Sequence, residues 1–331
     1  MILILGYENF EQGTDPVIDW LLFHKANFIK VTLDSLFFRE ESFHIDVNNS
    51  KIYYKGIDLG KEVNVVWYRR FKDDRKIGYK EAKHADLKDS LSLNLQAELS
   101  TIFDYICHIL KDKLWLPPPE RFYTNKLLNL NLAQQAGFRV PATSVTNSKQ
   151  VIKETVNFRK KSSITKPISE GARRLLQAGN LTFIQFAKTI EANILDELPD
   201  FFFPSLIQDK LKIDYEIRVF FLAGKLFATK IESSEEESSD DRRTQDESKL
   251  VHSPYTLPES VAEMVNEFMR LANLNSGCID LAKCERDEFF FLEVNPVGQY
   301  LFESKKCNYY IEREIANWLV QNDRSSQMKI A

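Results

Sequence analysis

The chain has 331 residues, 44% of them hydrophobic and 24 of them Phe, which is core material for two or three lobes rather than one. A net charge of −4 gives no electrostatic ground for a nucleic-acid or anionic-membrane partner, and no apolar run reaches the length of a membrane span. Cys107, Cys278, Cys284 and Cys307 form no CxxC pair, which fits reduced, buried thiols in a cytoplasmic protein.

The pattern opens as strand, helix, strand. Ile2 to Leu5 is a short apolar run that suits a buried first strand, not a signal peptide. Thr14-Asp15-Pro16 marks a helix start, and Val17, Ile18, Leu21 and Leu22 follow at helical spacing. Phe28 to Val31 is the next strand. This βαβ pattern implies a parallel sheet. No GxGxxG follows the first strand, so no dinucleotide site is expected there. Phe43 to Val47 and Lys51 to Tyr54 read as a hairpin, and Val63 to Tyr68 as a strand ending in Arg69-Arg70-Phe71. A helix from about Lys80 to Leu110 carries Leu95, Leu99, Ile102, Phe103, Ile106 and Leu110 on one stripe. Leu116-Pro117-Pro118-Pro119 breaks the chain.

A helix from about Glu120 to Ala136 follows, closed by Gly137. Ser163 to Pro167 reads as a strand that ends in Lys166. Strands over Ser205–Leu211, Tyr215–Leu222 and Lys225–Ile231 come next, the last two joined by Ala223-Gly224. Ser233 to Lys249 is polar, acidic and without period, hence a loop. Val261 to Leu271 is an amphipathic helix. Ile311 to Val320 is a closing helix, with a frayed tail from Asn322.

Asp280-Leu281-Ala282 and Phe289 to Pro296 read as two strands around a charged turn. Residues two apart on a strand share a face, so Glu293 and Asn295 point one way and Leu292 and Val294 the other. A hairpin partner brings Asp280 beside the first pair. Three hard oxygen ligands at the end of an apolar strand suit Mg²⁺, which keeps phosphates as part of its shell.

Lys126 opens a helix and Lys166 ends a strand. Each offers an anchored base and a free ammonium to a phosphate, though each alone reads equally as a surface lysine. Ser169-Glu170-Gly171-Ala172 after Lys166 can lay backbone N–H groups over phosphates. Gln208-Asp209-Lys210-Leu211 offers an exposed strand edge to an adenine. Glu216 can take a ribose hydroxyl pair, and Arg218, on the same face, can reach phosphate oxygens. The plainer reading of this strand is a solvated face with an acid–arginine pair. Asp240-Asp241-Arg242-Arg243 reads as a solvated charge run, or as a loop arginine that meets a transferring phosphoryl group. The five His show no metal or triad spacing, and neither GxSxG nor a P-loop is present.

From about Trp115 onward the chain resembles the ATP-grasp ligases. The likeness rests on Asn125-Lys126, Ala136 to Thr143, Lys166-Pro167, Glu216-Ile217-Arg218, and Asp280 with Glu293-Val294-Asn295-Pro296, in that order and spacing. Within that superfamily it is similar to maturases of graspetides, ribosomal peptides cross-linked by side-chain esters or amides. Val294 to Gln299, Cys307 to Tyr310, Trp67 to Arg70 and the Asp-x-Arg carry this closer likeness, which is to the subgroup encoded beside SPASM-domain radical proteins. The loop after Lys166 is poorer in glycine than the family's.

The resemblance implies an α/β fold, α+β in its C-terminal half. A pre-ATP-grasp domain would span 1–116, a central lobe 117–195, a C-terminal lobe with the metal site 196–322, and a flexible tail 323–331. ATP and Mg²⁺ would be bound. Lys126 and Lys166 would hold the phosphates, Gln208, Asp209, Lys210 and Leu211 the adenine, and Glu216 the ribose. Asp280, Glu293 and Asn295 would hold Mg²⁺. Arg218 would support phosphoryl transfer, and Arg242 with Asp240 would meet phosphate or a substrate carboxylate. The implied partners are a precursor peptide with leader and core, a second copy of the chain, and a SPASM-domain radical protein of the same pathway. Free amino acids or a protein terminus are the alternative substrates.

Overall fold

A computed structural model of the chain describes residues 1–7, 12–37, 41–71, 85–122, 125–159, 162–169, 176–178, 181–183, 186–233 and 247–328. The chain divides into two units, residues 1–119 with 310–331, and residues 120–309.

The first unit is built on β1 (Ile2–Gly6), α1 (Asp15–Phe23) and β2 (Phe28–Thr32), the expected βαβ. Short α2 (Leu33–Phe37) leads to a small antiparallel sheet of β3 (Phe43–Asp46), β4 (Lys51–Tyr54) and β5 (Ile57–Asp58). Next come α3 (Leu59–Glu62), β6 (Val65–Tyr68), the long α4 (Ala85–Ile109) and β7 (Leu114–Leu116). The main sheet is parallel, in the order β2-β1-β6-β7. Ile2, Leu3, Ile4 and Leu5 are all buried, because a central parallel strand is covered on both faces and needs an unbroken apolar run. On α4 the stripe buries Leu99, Phe103 and Ile106.

The second unit begins with α5 (Lys126–Gln135), later than the expected Glu120. Pro119–Arg121 forms only a 3₁₀ turn, and the α-helix starts where Asn125 Oδ1 accepts from the N–H groups of Leu127 and Leu128. Its end matches the sequence signal. Gly137 has φ +96°, and the Phe138 and Gly137 N–H groups return to Ala133 O and Gln134 O.

Then come β8 (Thr143–Ser148), α6 (Lys149–Arg159), β9 (Ser163–Lys166), the β10 (Leu176–Ala178) and β11 (Leu181–Phe183) pair, β12 (Lys188–Thr189), α7 (Ala192–Glu197) and β13 (Phe201–Asp209). They give an antiparallel sheet in the order β12-β9-β13-β8 over a small core of Ile152, Leu195 and Ile207.

A five-stranded antiparallel sheet, β16-β15-β14-β17-β18, follows. It comprises β14 (Ile213–Leu222), β15 (Lys225–Ser233), β16 (Leu250–Tyr255), β17 (Ser276–Cys284) and β18 (Glu288–Asn295). The sequence signals gave four of these strands. Edge strand β16 lies just beyond the stretch that reads as loop. Ala223 and Gly224 both take positive φ in the tight turn between β14 and β15. α8 (Glu259–Leu271) sets Val261, Val265, Phe268 and Met269 against one face of the sheet, with Leu130 and Ala133 of α5 beside them. The short helix α9 (Leu301–Cys307) belongs to the other face.

The chain returns to the first unit as α10 (Ile311–Met328), which runs past the expected Val320 and through Asn322. A buried ion pair accounts for the added turns. Asp323 Oδ1 accepts from the Met1 ammonium and from Asn64 Nδ2, both at 2.7 Å. Among the described residues no helix is long and apolar enough to cross a membrane.

Candidate functional site

Strand register assembles the site. Thr229 of β15 lies opposite Arg218 of β14, Arg218 opposite Asp280 of β17, and Asp280 opposite Glu293 of β18. Directly paired residues share a face, so these four side chains form one row across four strands. The opposite face carries Ile217, Val219, Ile279, Leu281, Phe291 and Val294 into the core under α8.

A β-bulge sets this arrangement. Asp280 pairs with Glu293 but Leu281 pairs with Phe291, so Leu292 is the extra residue. Simple alternation puts Leu292 on the core face with Val294. The bulge puts Phe291 there instead, fully buried, and Leu292 is only half-buried. Glu293 and Asn295 stay on the charged face, as the two-residue spacing requires.

The charges in the row interlock. Arg218 Nη1 donates to both oxygens of Asp280, at 2.9 and 3.1 Å. Arg218 Nη2 donates to Gln299 O at 3.2 Å. Arg218 Nε lies 3.2 Å from Glu303 Oε1, a charge contact in which the N–H is not aimed at the oxygen. At the other end, Lys126 Nζ lies 3.3 Å from Glu293 Oε2. Burial opposes the charge on Arg218, but Asp280 and Glu303 more than offset it and hold its pKa above the ordinary guanidinium value. The site therefore contains a permanent cation in a largely dry setting.

Asn295 sits two pairs along, opposite Cys278, and its Oδ1 accepts from Gly298 N–H at 3.1 Å. That bond closes the turn after β18 and leaves the amide oxygen a second lone pair. Gly298, at φ +56°, lies where a Cβ would stand 3.3 Å from Cys278 N and Sγ, so only glycine suits this approach. Asp280, Glu293 and Asn295 are hard oxygen donors, a set that fits Mg²⁺. Among the described residues no three His, Cys, Asp or Glu gather around one point. Two carboxylates with room for a ligand's phosphates is the usual Mg²⁺ arrangement, and it does not need a third.

The other expected residues lie on or beside the four-stranded sheet and on β14. Lys166 ends β9 opposite Leu206. Gln208 is buried and donates from Nε2 to Thr143 Oγ1 at 2.7 Å. The expectation of an exposed strand edge at Gln208–Leu211 is corrected. β13 is an inner strand, and Asp209 is buried. The Asp209 and Lys210 N–H groups donate to Ala142 O and Ser162 O. Lys210 Nζ donates to Thr189 Oγ1 at 3.1 Å, and Leu211 is half-buried just beyond the strand. Glu216 shares the face of Arg218, opposite Ala282. Asp240 and Arg242, with Asp241 and Arg243, which could equally frame the Asp-x-Arg, lie outside the described residues, as do residues 170–172 of the loop after Lys166.

The structure adds two groups that sequence reasoning missed, Glu303 and the Gln299 carbonyl. The segment that holds them, α9 with its lead-in, is too short for helical periodicity to announce.

No protein-family model matches the chain, and no curated protein matches it. Solved structures match along nearly its whole length. One is the macrocyclase MdnC from Microcystis aeruginosa MRC, bound with precursor peptide MdnA. It is 22% identical, with TM-score 0.79 over 97% of this chain and 99% of that one. A second is a RiPP-associated ATP-grasp ligase from Chryseobacterium gregarium, in complex with ADP and a leader and core peptide. It is 20% identical, with TM-score 0.77 over 96% of each chain. A third is the ATP-grasp ligase PsnB, complexed with minimal precursor, Mg and ADP, at 15% identity and TM-score 0.73 over 97% of each. The likeness to D-cycloserine synthetase DcsG is weaker, with 11% identity and TM-score 0.55. The fold is the ATP-grasp fold.

Proposed function

We propose that this chain is an ATP-dependent carboxylate ligase that macrocyclises a ribosomally made precursor peptide. The observation that carries the reading is the charged row. Asp280 and Glu293 stand side by side between two cations, Arg218 and Lys126, on neighbouring elements of an ATP-grasp fold. Such a row suits a highly charged nucleotide and the charge that develops as a phosphoryl group moves.

Lys126 and Lys166 would neutralise the ATP phosphates as point charges. Residues 208–211 would meet the adenine and Glu216 the ribose. Because the amides of Asp209 and Lys210 are used within the protein, the adenine would be met by other groups there, Leu211 among them. Asp280, Glu293 and Asn295 would hold Mg²⁺. When bound, the ion supplies Lewis-acid neutralisation of phosphate charge. Arg218, held by four contacts, would stabilise the transferring phosphoryl group. Arg242, with Asp240, would meet phosphate or a substrate carboxylate.

The chemistry runs in two displacements. A peptide Asp or Glu carboxylate oxygen attacks the γ-phosphorus, the bond to the bridging oxygen breaks, and ADP leaves. A Ser or Thr hydroxyl, or a Lys amine, of the same peptide then attacks the acyl carbon. The bond from the acyl carbon to phosphate breaks, phosphate leaves, and the nucleophile's proton passes to solvent. Each ring removes one water from the peptide. No enzyme nucleophile is needed, and positioning plus fixed charge does the work. The reaction needs the ATP of the cytoplasm. It would draw on a leader and core peptide, with a second copy of the chain and a SPASM-domain radical protein as further partners.

The test uses the purified chain, ATP, Mg²⁺ and the peptide product of a neighbouring short reading frame that carries Ser or Thr with Asp or Glu. ADP release should depend on that peptide, and the peptide should lose the mass of one water per ring. A peptide of unchanged mass refutes the reading. ADP release driven by free amino acids instead would move the chain to the amino-acid ligases.

A further inference from the structure

Arg218 has a partner that the row does not explain. Lys126 and Arg218 already face Glu293 and Asp280 one for one, and Glu303 adds a third carboxylate against Arg218. Glu303 is itself buried, which is expensive for a carboxylate without a purpose-built cation partner.

Its placement is built by the turn after β18. Gly298 packs against Cys278, and Cys278 Sγ donates to Gln299 O at 3.3 Å. Tyr300 is fully buried with its ring 5.2 Å from that of Phe220, and Ser304 N–H donates to Tyr300 O. At the far end of α9, Thr229 Oγ1 and Cys307 Sγ are 3.5 Å apart. Anchored at both ends over the charged face, α9 delivers Glu303 to the Nε side of Arg218, opposite the side that Asp280 takes.

The two carboxylates differ in what else is asked of them. In the ligase reading Asp280 is shared with Mg²⁺, and a carboxylate that gives charge to a cation holds an arginine less firmly. Glu303 is not among the residues that would hold the metal in that reading. We infer that Glu303 is a positioning residue that keeps Arg218 aimed at the transferring phosphoryl group while Asp280 is engaged by metal. The inference rests on the ligase reading.

The test compares wild type, E303Q, E303D, R218K and E303Q/R218K with ATP, Mg²⁺ and the same peptide. E303Q should lower kcat about tenfold or more, while KM for ATP moves less than about threefold. E303D, which keeps the charge, should recover most of the rate. In the R218K background E303Q should change kcat less than about threefold, because the group it positions has gone. A full E303Q effect in that background, or an unchanged kcat in the single variant, overturns the role. The Arg218 Nε–H resonance, identified by its loss in R218K, should shift in E303Q without nucleotide present; an unmoved resonance also overturns it. No ADP from wild type with the peptide overturns the ligase reading itself, and the resonance then still decides whether the pair exists.

Discussion

The two larger sheets of the second unit are built from unequal amounts of packed apolar surface. The five-stranded sheet has strands of up to ten residues and shares one core with α5 and α8, in which Ile217, Ile279, Phe268 and Phe291 are all fully buried. The four-stranded sheet has a β9 of four residues, a β12 of two, and a core cluster of Ile152, Leu195 and Ile207. Its strand β13 even carries Phe201 and Phe203 exposed, at 73% and 85%. The charged row stands on the first sheet and Lys166 on the second. In the proposed ligase, fixed charge would stabilise a transition state best on a carrier that does not relax, and the row stands on the more fully packed sheet. A lysine that meets a flexible phosphate chain tolerates a softer base.

That contrast can be broken at several points. The largest expected effect is on chemistry: Glu293→Gln should lower product formation at least about a hundredfold, since it removes a charge from the row without removing volume. Circular dichroism should show an intact fold, and unchanged turnover would detach the row from catalysis. The next effect is on stability. Ile279→Ala and Ile207→Ala each remove a buried isoleucine, and the cost should lie between about 2 and about 5 kcal/mol. Urea unfolding should place Ile279→Ala near the top of that range and Ile207→Ala near the bottom, because a thinly packed site collapses more readily. Equal losses would erase the difference between the sheets.

A smaller change is expected at Lys166→Ala. ATP affinity should fall about tenfold, as for one charged contact, with little change in thermal midpoint. Calorimetry that finds the affinity unaltered removes Lys166 from the phosphate site. The smallest effect concerns the rim of the larger sheet. Burial and the hydrogen bond with Tyr215 push the Tyr255 phenol up to about 12. Its folded pKa is above the unfolded value of about 10, so its stabilisation is complete below about pH 10 and is lost as pH rises towards 12. Tyr255→Phe should flatten the fall of the thermal midpoint over that interval; an identical alkaline limb would show that Tyr255 does not titrate with unfolding.

The site is partly legible in the sequence. Two-residue spacing put Glu293 with Asn295 and Glu216 with Arg218, because alternation is a local property of a strand. It misassigned Leu292, since a bulge is a relation between two strands and leaves no mark on one of them. The exposure of the segment expected to meet adenine was misjudged for a similar reason. Whether Gln208 and Asp209 lie on an edge or an inner strand depends on where β9 and β8 pair, more than sixty residues of chain being involved in the contact of Gln208 with Thr143. Helix α10 outran its expected end because Asp323 answers an ammonium at the opposite end of the chain.

Sequence alone determined much of the alternation of strands and helices, the cap at Gly137, the buried first strand, and the residue types able to carry nucleotide and metal chemistry. Each depends on residues within a few positions of one another. Tertiary structure decided that Arg218, Asp280, Glu293 and Lys126 form one connected row, that Phe291 and not Leu292 faces the core, and that Glu303 reaches Arg218. Those facts come from register between strands and the seating of a short helix, and such pairings are selected by the burial of distant apolar surfaces, which no local pattern encodes.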